Sequence, residues 1–113
     1  MEKVTNEQLN QAAMQMIMLA GDSRTLLTEV INETLEGASA EEVDEKIKSA
    51  KEKIVEAHRI QTDMIQSSIE DNELQTTLLF SHAQDTLMTI YSEQNMTKHI
   101  IHMYRKLSEQ MKQ

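Results

Sequence analysis

The stretch SAEEVDEKIKSAKEKIVEAHRIQTDMIQSS, residues 39–68, decides the fold. Within it Val43, Ile47, Ala50, Ile54, Ala57, Gln61, Met64 and Ser68 recur at alternating spacings of four and three. That is a coiled-coil-like seam, apolar until Gln61. The remaining faces carry Lys46, Lys48, Lys51, Lys53 and the acids, as a solvated helix surface should. Ser39 stands where an N-cap belongs, with Glu42 at the capping-box position. Glu41, Glu42 and Asp44 face the positive end of the helix dipole.

Two residues before Ser39, Gly37 is placed to take the left-handed conformation that ends a preceding helix. Two such signals so close together predict a short turn between antiparallel neighbours. The preceding helix starts after Thr5, with Gln8 as its reciprocal capping partner. Beyond the seam, Ser68 to Glu73 dissolves into polar residues and reads as a second loop. A third helix follows, with Lys106 and Lys112 near its negative end. The expected helices cover about 6–36, 40–69 and 76–111, one all-α antiparallel three-helix domain over 1–113.

The third helix carries two periodic rows. Leu79, Ala83, Leu87, Ile90, Ile101, Tyr104 and Leu107 form one, the expected core face. Leu78, His82, Asp85, Thr89, Ser92, Met96, His99 and Met103 form the other. A helix in a monomeric three-helix bundle needs one buried stripe, so the second row suggests a surface for self-association.

Composition narrows the function. The chain has 113 residues, no cysteine, no proline, two glycines, nine methionines and three aromatic residues. Without cysteine it has no disulfide, thiolate metal site or cysteine nucleophile. Two glycines leave no room for a Gly-rich phosphate loop or dinucleotide fingerprint. The net charge of -8 argues against nucleic acid and anionic membrane as partners. That charge is uneven: -4 over residues 1–36, -3 over 37–70 and only -1 over 71–113. No signal peptide is visible, and the longest mainly apolar stretch, Ala12 to Ala20, is far short of the roughly 20 residues that span a bilayer. A cytoplasmic protein without direct membrane insertion is the expectation.

Histidine is the side chain here that combines a neutral nucleophilic nitrogen with a pKa near 6.5. Four are present: His58, His82, His99 and His102. His82 and Asp85 are one helical turn apart, which fits a functional pair or an ordinary surface pair. The longer string His82-Ala83-Gln84-Asp85-Thr86-Leu87-Met88 closely resembles the HAQDHLM motif of the lactose/cellobiose-specific enzyme IIA family of the bacterial sugar phosphotransferase system. Ala20-Gly21-Asp22-Ser23-Arg24-Thr25 is similar to that family's AGDARS stretch. Glu56-Ala57-His58-Arg59-Ile60-Gln61-Thr62 resembles its EAHxxQT segment. The matches fall in order, one per expected helix, and cover essentially the whole chain.

The resemblance implies a homotrimer, a nine-helix bundle of three-helix subunits. It implies that His82 accepts a phosphoryl group from the carrier protein HPr and donates it to a cysteine of the cognate enzyme IIB. The sugar taken up would be of the lactose, cellobiose or chitobiose type. It further implies that Asp85 of three subunits holds one divalent ion, Mg2+ by chemistry, on the three-fold axis. A charge inside a periodic row independently calls for compensation, because converging carboxylates either protonate or bind a hard cation. Gln84 is read as a phosphate contact across a subunit cleft or as a solvent-facing glutamine. The chain departs from the family where Thr86 replaces the second motif histidine.

Other readings are more modest. His58 reads as a packing or hydrogen-bonding histidine rather than a direct phosphoryl carrier. His99 and His102 have i, i+3 spacing that could bind a transition metal, but with no acidic partner in the same turns they read as surface histidines. Gly21 reads as a point of close helix approach, with Asp22 and Arg24 near a subunit interface. Met14, Met16 and Met18 read mainly as core, with an adaptable docking surface as the alternative. Two further classes stand beside the carrier: a helical adaptor without covalent chemistry, and a histidine phosphotransfer domain of two-component signalling. The second usually has lysine and glycine where this chain has Asp85 and Thr86.

Overall fold

The computed structural model describes residues 4–69 and 76–112, with the side chains of all but Ser68 and Ile69. It contains α1 (Asn6–Leu35), α2 (Ala40–Ile69) and α3 (Leu78–Met111), and no strand among the described residues. The helix ends follow from local chemistry. Thr5 accepts from the Gln8 amide at 3.1 Å while the Gln8 side chain accepts from the Thr5 amide at 2.9 Å, a complete capping box. Gly37 has φ of 93°, in the left-handed region, and the Ala38 amide donates to the Glu33 carbonyl at 2.9 Å. Those contacts satisfy carbonyls that the end of α1 leaves free. Ser39 Oγ then accepts from the Glu42 amide at 3.2 Å and starts α2.

α2 keeps its helical conformation through Ile69, so the second loop does not begin at Ser68; residues 70–75 of that expected loop lie outside the described residues. α3 begins at Leu78 rather than at Thr76, because Thr77 is the cap and accepts from the Phe80 amide at 3.1 Å. Two adjacent threonines offer the same hydroxyl, and the structure selects the second.

α1 packs against both other helices, whereas α2 and α3 touch each other much less. Leu9, Ala12, Ala13, Met16 and Ala20 of α1 meet Ile54 and Ala57 of α2 and Phe80, Ala83, Leu87 and Ile90 of α3 in the larger core cluster. Six alanines, at 12, 13, 20, 50, 57 and 83, are buried along these seams, and such small side chains permit close helix packing. Ser23 is fully buried and donates to the Ala50 carbonyl at 2.9 Å, tying α1 to α2. Val30, Val43 and Ile101 form a second, smaller cluster.

The bundle measures 64 × 21 × 16 Å. A helix of 30 residues is about 45 Å long, so the helices are offset along the bundle axis. The inward face of α3 runs Phe80, Ala83, Leu87, Ile90, Gln94, Thr97, Ile101, all buried. Tyr104 and Leu107 continue the expected core row but are exposed, and Leu79 is half-buried. The end of α3 lies beside the α1–α2 turn, where Arg105 donates to Asp44 at 3.1 Å, and little helix remains there to cover it. In α1 only Met16 of the Met14, Met16, Met18 cluster belongs to the core; the other two are exposed.

Candidate functional site

His82 is the fifth residue of α3 and is exposed. Phe80 and Ala83 on either side of it are buried, so packing of α3 on the core fixes the backbone that carries the imidazole. Among the described residues, the side chains of His82, Gln84, Asp85 and Thr86 make no hydrogen bond or ion pair, which leaves the imidazole nitrogens open to an incoming group. The first turn of α3 contains no acid. The N-terminal end of a helix also favours negative charge, so an anionic group on His82 meets a mildly supportive field.

Helical geometry sorts the neighbours. At 3.6 residues per turn, Asp85 and Thr86 sit about 60° and 40° from His82 around the helix, whereas Gln84 sits about 160° away. The structure therefore groups His82, Asp85 and Thr86, and within one chain Gln84 stands on the other flank.

Two interhelical contacts orient α3. On one flank, Arg24 of α1 makes a two-pronged contact with Glu93, at 2.9 and 2.8 Å. The Glu93 hydrogen bond raises the pKa of that guanidinium. Glu93 is about 20° from His82 around the helix, which places His82 on the α1 flank. On the other flank, the His58 ring of α2 meets Tyr91 edge to face, with centroids 5.3 Å apart. His58 is thus a packing histidine, as its place beside the seam implied. A groove of about 500 Å³ between α2 and α3 gathers Lys51, His58, Tyr91, Gln94 and Lys98, away from His82.

The second periodic row of α3 is exposed over its entire length. Leu78, His82, Asp85, Thr89, Ser92, Met96, His99 and Met103 are all open to solvent in the single chain. Within the single chain Gly21 is not a point of close helix approach: a methyl group added there would find nothing within 4 Å. Its open side belongs to an exposed strip of α1 that also carries Met14, Met18 and Thr25. Arg24, expected near a subunit interface, spends its guanidinium on Glu93 of its own chain. The sequence pattern gave no sign of that pair, because the two residues are 69 positions apart.

Among the described residues, no helix is long and apolar enough to cross a membrane, and no group of three or more His, Cys, Asp or Glu within the chain could hold a metal ion. Asp85 is a single, exposed, unpartnered carboxylate. Its oxygen donors suit a hard cation such as Mg2+, but one chain supplies only one such residue at this position.

The fold is a three-helix bundle that presents an exposed histidine from the start of its last helix. The family described as "PTS system, Lactose/Cellobiose specific IIA subunit" matches residues 11–105, and the chain belongs to that family. It is 36% identical over 105 residues to the lichenan-specific phosphotransferase enzyme IIA component of Bacillus subtilis, covering 93% of this chain and 94% of that protein. The lactose-specific EIIA component of Lacticaseibacillus casei is 28% identical over 105 residues, 93% of each chain. The crystal structure of the PTS cellobiose-specific enzyme IIA from Bacillus anthracis superposes with a TM-score of 0.81 at 32% identity, covering 94% of both chains.

Proposed function

We propose that this chain is the phosphocarrier of a sugar phosphotransferase system, with His82 as the residue that is phosphorylated. It works in the cytoplasm, takes the group from HPr and hands it to the cognate enzyme IIB, serving uptake of a lactose-, cellobiose- or chitobiose-type sugar. The observation that carries this reading is the position of His82: exposed, unpartnered in the chain, and held at the N-terminal end of α3 within the HAQD string.

The chemistry is two successive displacements at phosphorus. A neutral nitrogen of His82 attacks in line, a new N–P bond forms, and the N–P bond to the histidine of HPr breaks, releasing its imidazole. A cysteine thiolate of enzyme IIB then attacks the same phosphorus; an S–P bond forms and His82 leaves as neutral imidazole. Positioning within the complex supplies most of the acceleration, because little covalent work falls to other side chains. Thr86, one turn on, offers a hydroxyl donor to the phosphoryl oxygens in place of the family's second histidine. Gln84 reaches the phosphate only across a boundary between subunits, since it lies on the opposite flank of its own helix.

Trimerisation belongs to the same reading. The exposed second row of α3 is the face that would line a three-fold axis, and it brings Asp85 from each chain together there. Three carboxylates in one place require a counter-charge, and a divalent cation held through oxygen supplies it.

Incubation with phosphoenolpyruvate, enzyme I and HPr tests the carrier role. Intact mass should rise by one phosphoryl group per chain in the wild type and stay unchanged in His82→Gln. Equal gain in both proteins, or none in the wild type, would overturn the assignment. The adaptor reading predicts no gain at all.

A further inference from the structure

Asp85, Ser92 and His99 are spaced by seven residues along α3, and all three are exposed. Thr89 and Met96 fill the intervening positions of the same stripe and Met103 follows His99; the two methionines are 57% and 62% exposed. In a left-handed bundle, residues seven apart stay on one seam. If three Asp85 side chains face one axis, as the proposed function holds, and the three α3 helices supercoil left-handedly about it to take up the drift of about 20° per heptad, then the three Ser92 and the three His99 side chains face it as well. His99 lies two heptads below Asp85, about 21 Å along the helix. Nothing charged interrupts the stripe between Asp85 and Met103, so no lysine or arginine competes for that space and no carboxylate neutralises it.

We propose that His99 from three copies of this chain forms a second axial metal site, built from imidazole nitrogen and suited to a borderline divalent transition ion such as Zn2+. The site rests on the trimeric reading and is incomplete without the partner copies. Its donor chemistry differs from that at Asp85. Carboxylate oxygens select a hard ion, whereas imidazoles bind zinc and its neighbours well and magnesium poorly. Three imidazoles leave a fourth position for water. Thioethers of Met96 and Met103 on either side provide an apolar surround that is a poor competitor for zinc. An ion held by all three chains binds only the assembled form and stabilises it by mass action. His102 is also exposed but lies about 60° around the helix from His99, off this stripe.

The test is a zinc titration of untagged protein in excess magnesium, read against a chromophoric chelator, with sedimentation of the same samples. The expected result is one tight zinc per three chains, lost in His99→Ala and kept in His102→Ala. Co2+ in place of zinc should give intense visible absorption of a four-coordinate ion in the wild type and not in His99→Ala. A protein that sediments as a trimer yet shows no such step overturns the zinc site while leaving the carrier reading intact. A step of one ion per chain, lost in both variants, overturns it in favour of a chelate within one helix. A monomer at every concentration overturns both the site and the trimer it rests on.

Discussion

The two faces of α3 have the same helical spacing and opposite fates. Inward, Phe80, Ala83, Leu87, Ile90, Gln94, Thr97 and Ile101 are buried against α1 and α2. Outward, Leu78, Asp85, Ser92, Met96, His99 and Met103 are exposed, though three of them are large and apolar. The first face closes the subunit and fixes the backbone under His82. The second has no cover within the chain and carries the ionisable groups. Periodicity alone marks both as faces; burial separates the one that stabilises the fold from the one left open to solvent in the single chain.

Mutations can break this contrast. Leu87→Ala removes a fully buried side chain beneath the site and should cost about 2–5 kcal/mol in urea unfolding. Met103→Ala on the outer face should change the unfolding of the isolated subunit by less than about 1 kcal/mol. Its effect should appear instead as a lower population of trimer in sedimentation. Equal losses of subunit stability from both substitutions would erase the distinction between the faces.

Asp85→Leu sharpens the outer face further. Equilibrium dialysis should show one bound magnesium per trimer in the wild type and none in the mutant. The mutant can stay trimeric, because leucine replaces ionic cohesion by packing. A wild-type trimer with no bound cation would contradict the role given to Asp85.

Smaller effects lie at the flanks. Both Arg24 and Glu93 are substantially exposed, so their pair should contribute about 0.2–1 kcal/mol in a double-mutant cycle of Arg24→Ala with Glu93→Gln. Smallest of all is a pH effect on α2. The hydrogen bond from Arg59, with its charge, holds the Glu56 carboxyl below its ordinary pKa. That contribution is present above the unfolded value and disappears as pH falls through the lowered folded value. Glu56→Gln should therefore show less loss of helicity than wild type in that acidic window, measured by circular dichroism. Identical acid profiles would remove the pair from the account.

Much of the fold was legible because its decisive signals are local. Thr5 with Gln8, Gly37 and Ser39 fix helix ends through contacts within a few residues, and the seam from Val43 to Met64 needs only its own spacing. The end of the core was not legible in that way. Tyr104 and Leu107 keep the right period, but burial there depends on how far α1 and α2 extend beside them. Thr97 was hidden for a different reason. A buried threonine is tolerated when its hydroxyl is satisfied, and Thr97 donates to the Glu93 carbonyl at 2.7 Å. His82 and Asp85 stood out through the HAQD string. Helical spacing alone also puts Gln84 off the His82 face, whereas the Arg24–Glu93 contact was not legible in the string.

The central claim is that one histidine of four carries the phosphoryl group, and trypsin separates the choices. Cleavage after lysine and arginine puts His58 in residues 54–59, His82 alone in 60–98, and His99 with His102 in 99–105. Digestion of the phosphorylated protein at neutral to alkaline pH, followed by peptide mass measurement, should place the phosphoryl group on 60–98. Phosphate on either of the other two peptides, with 60–98 unmodified, would contradict the account.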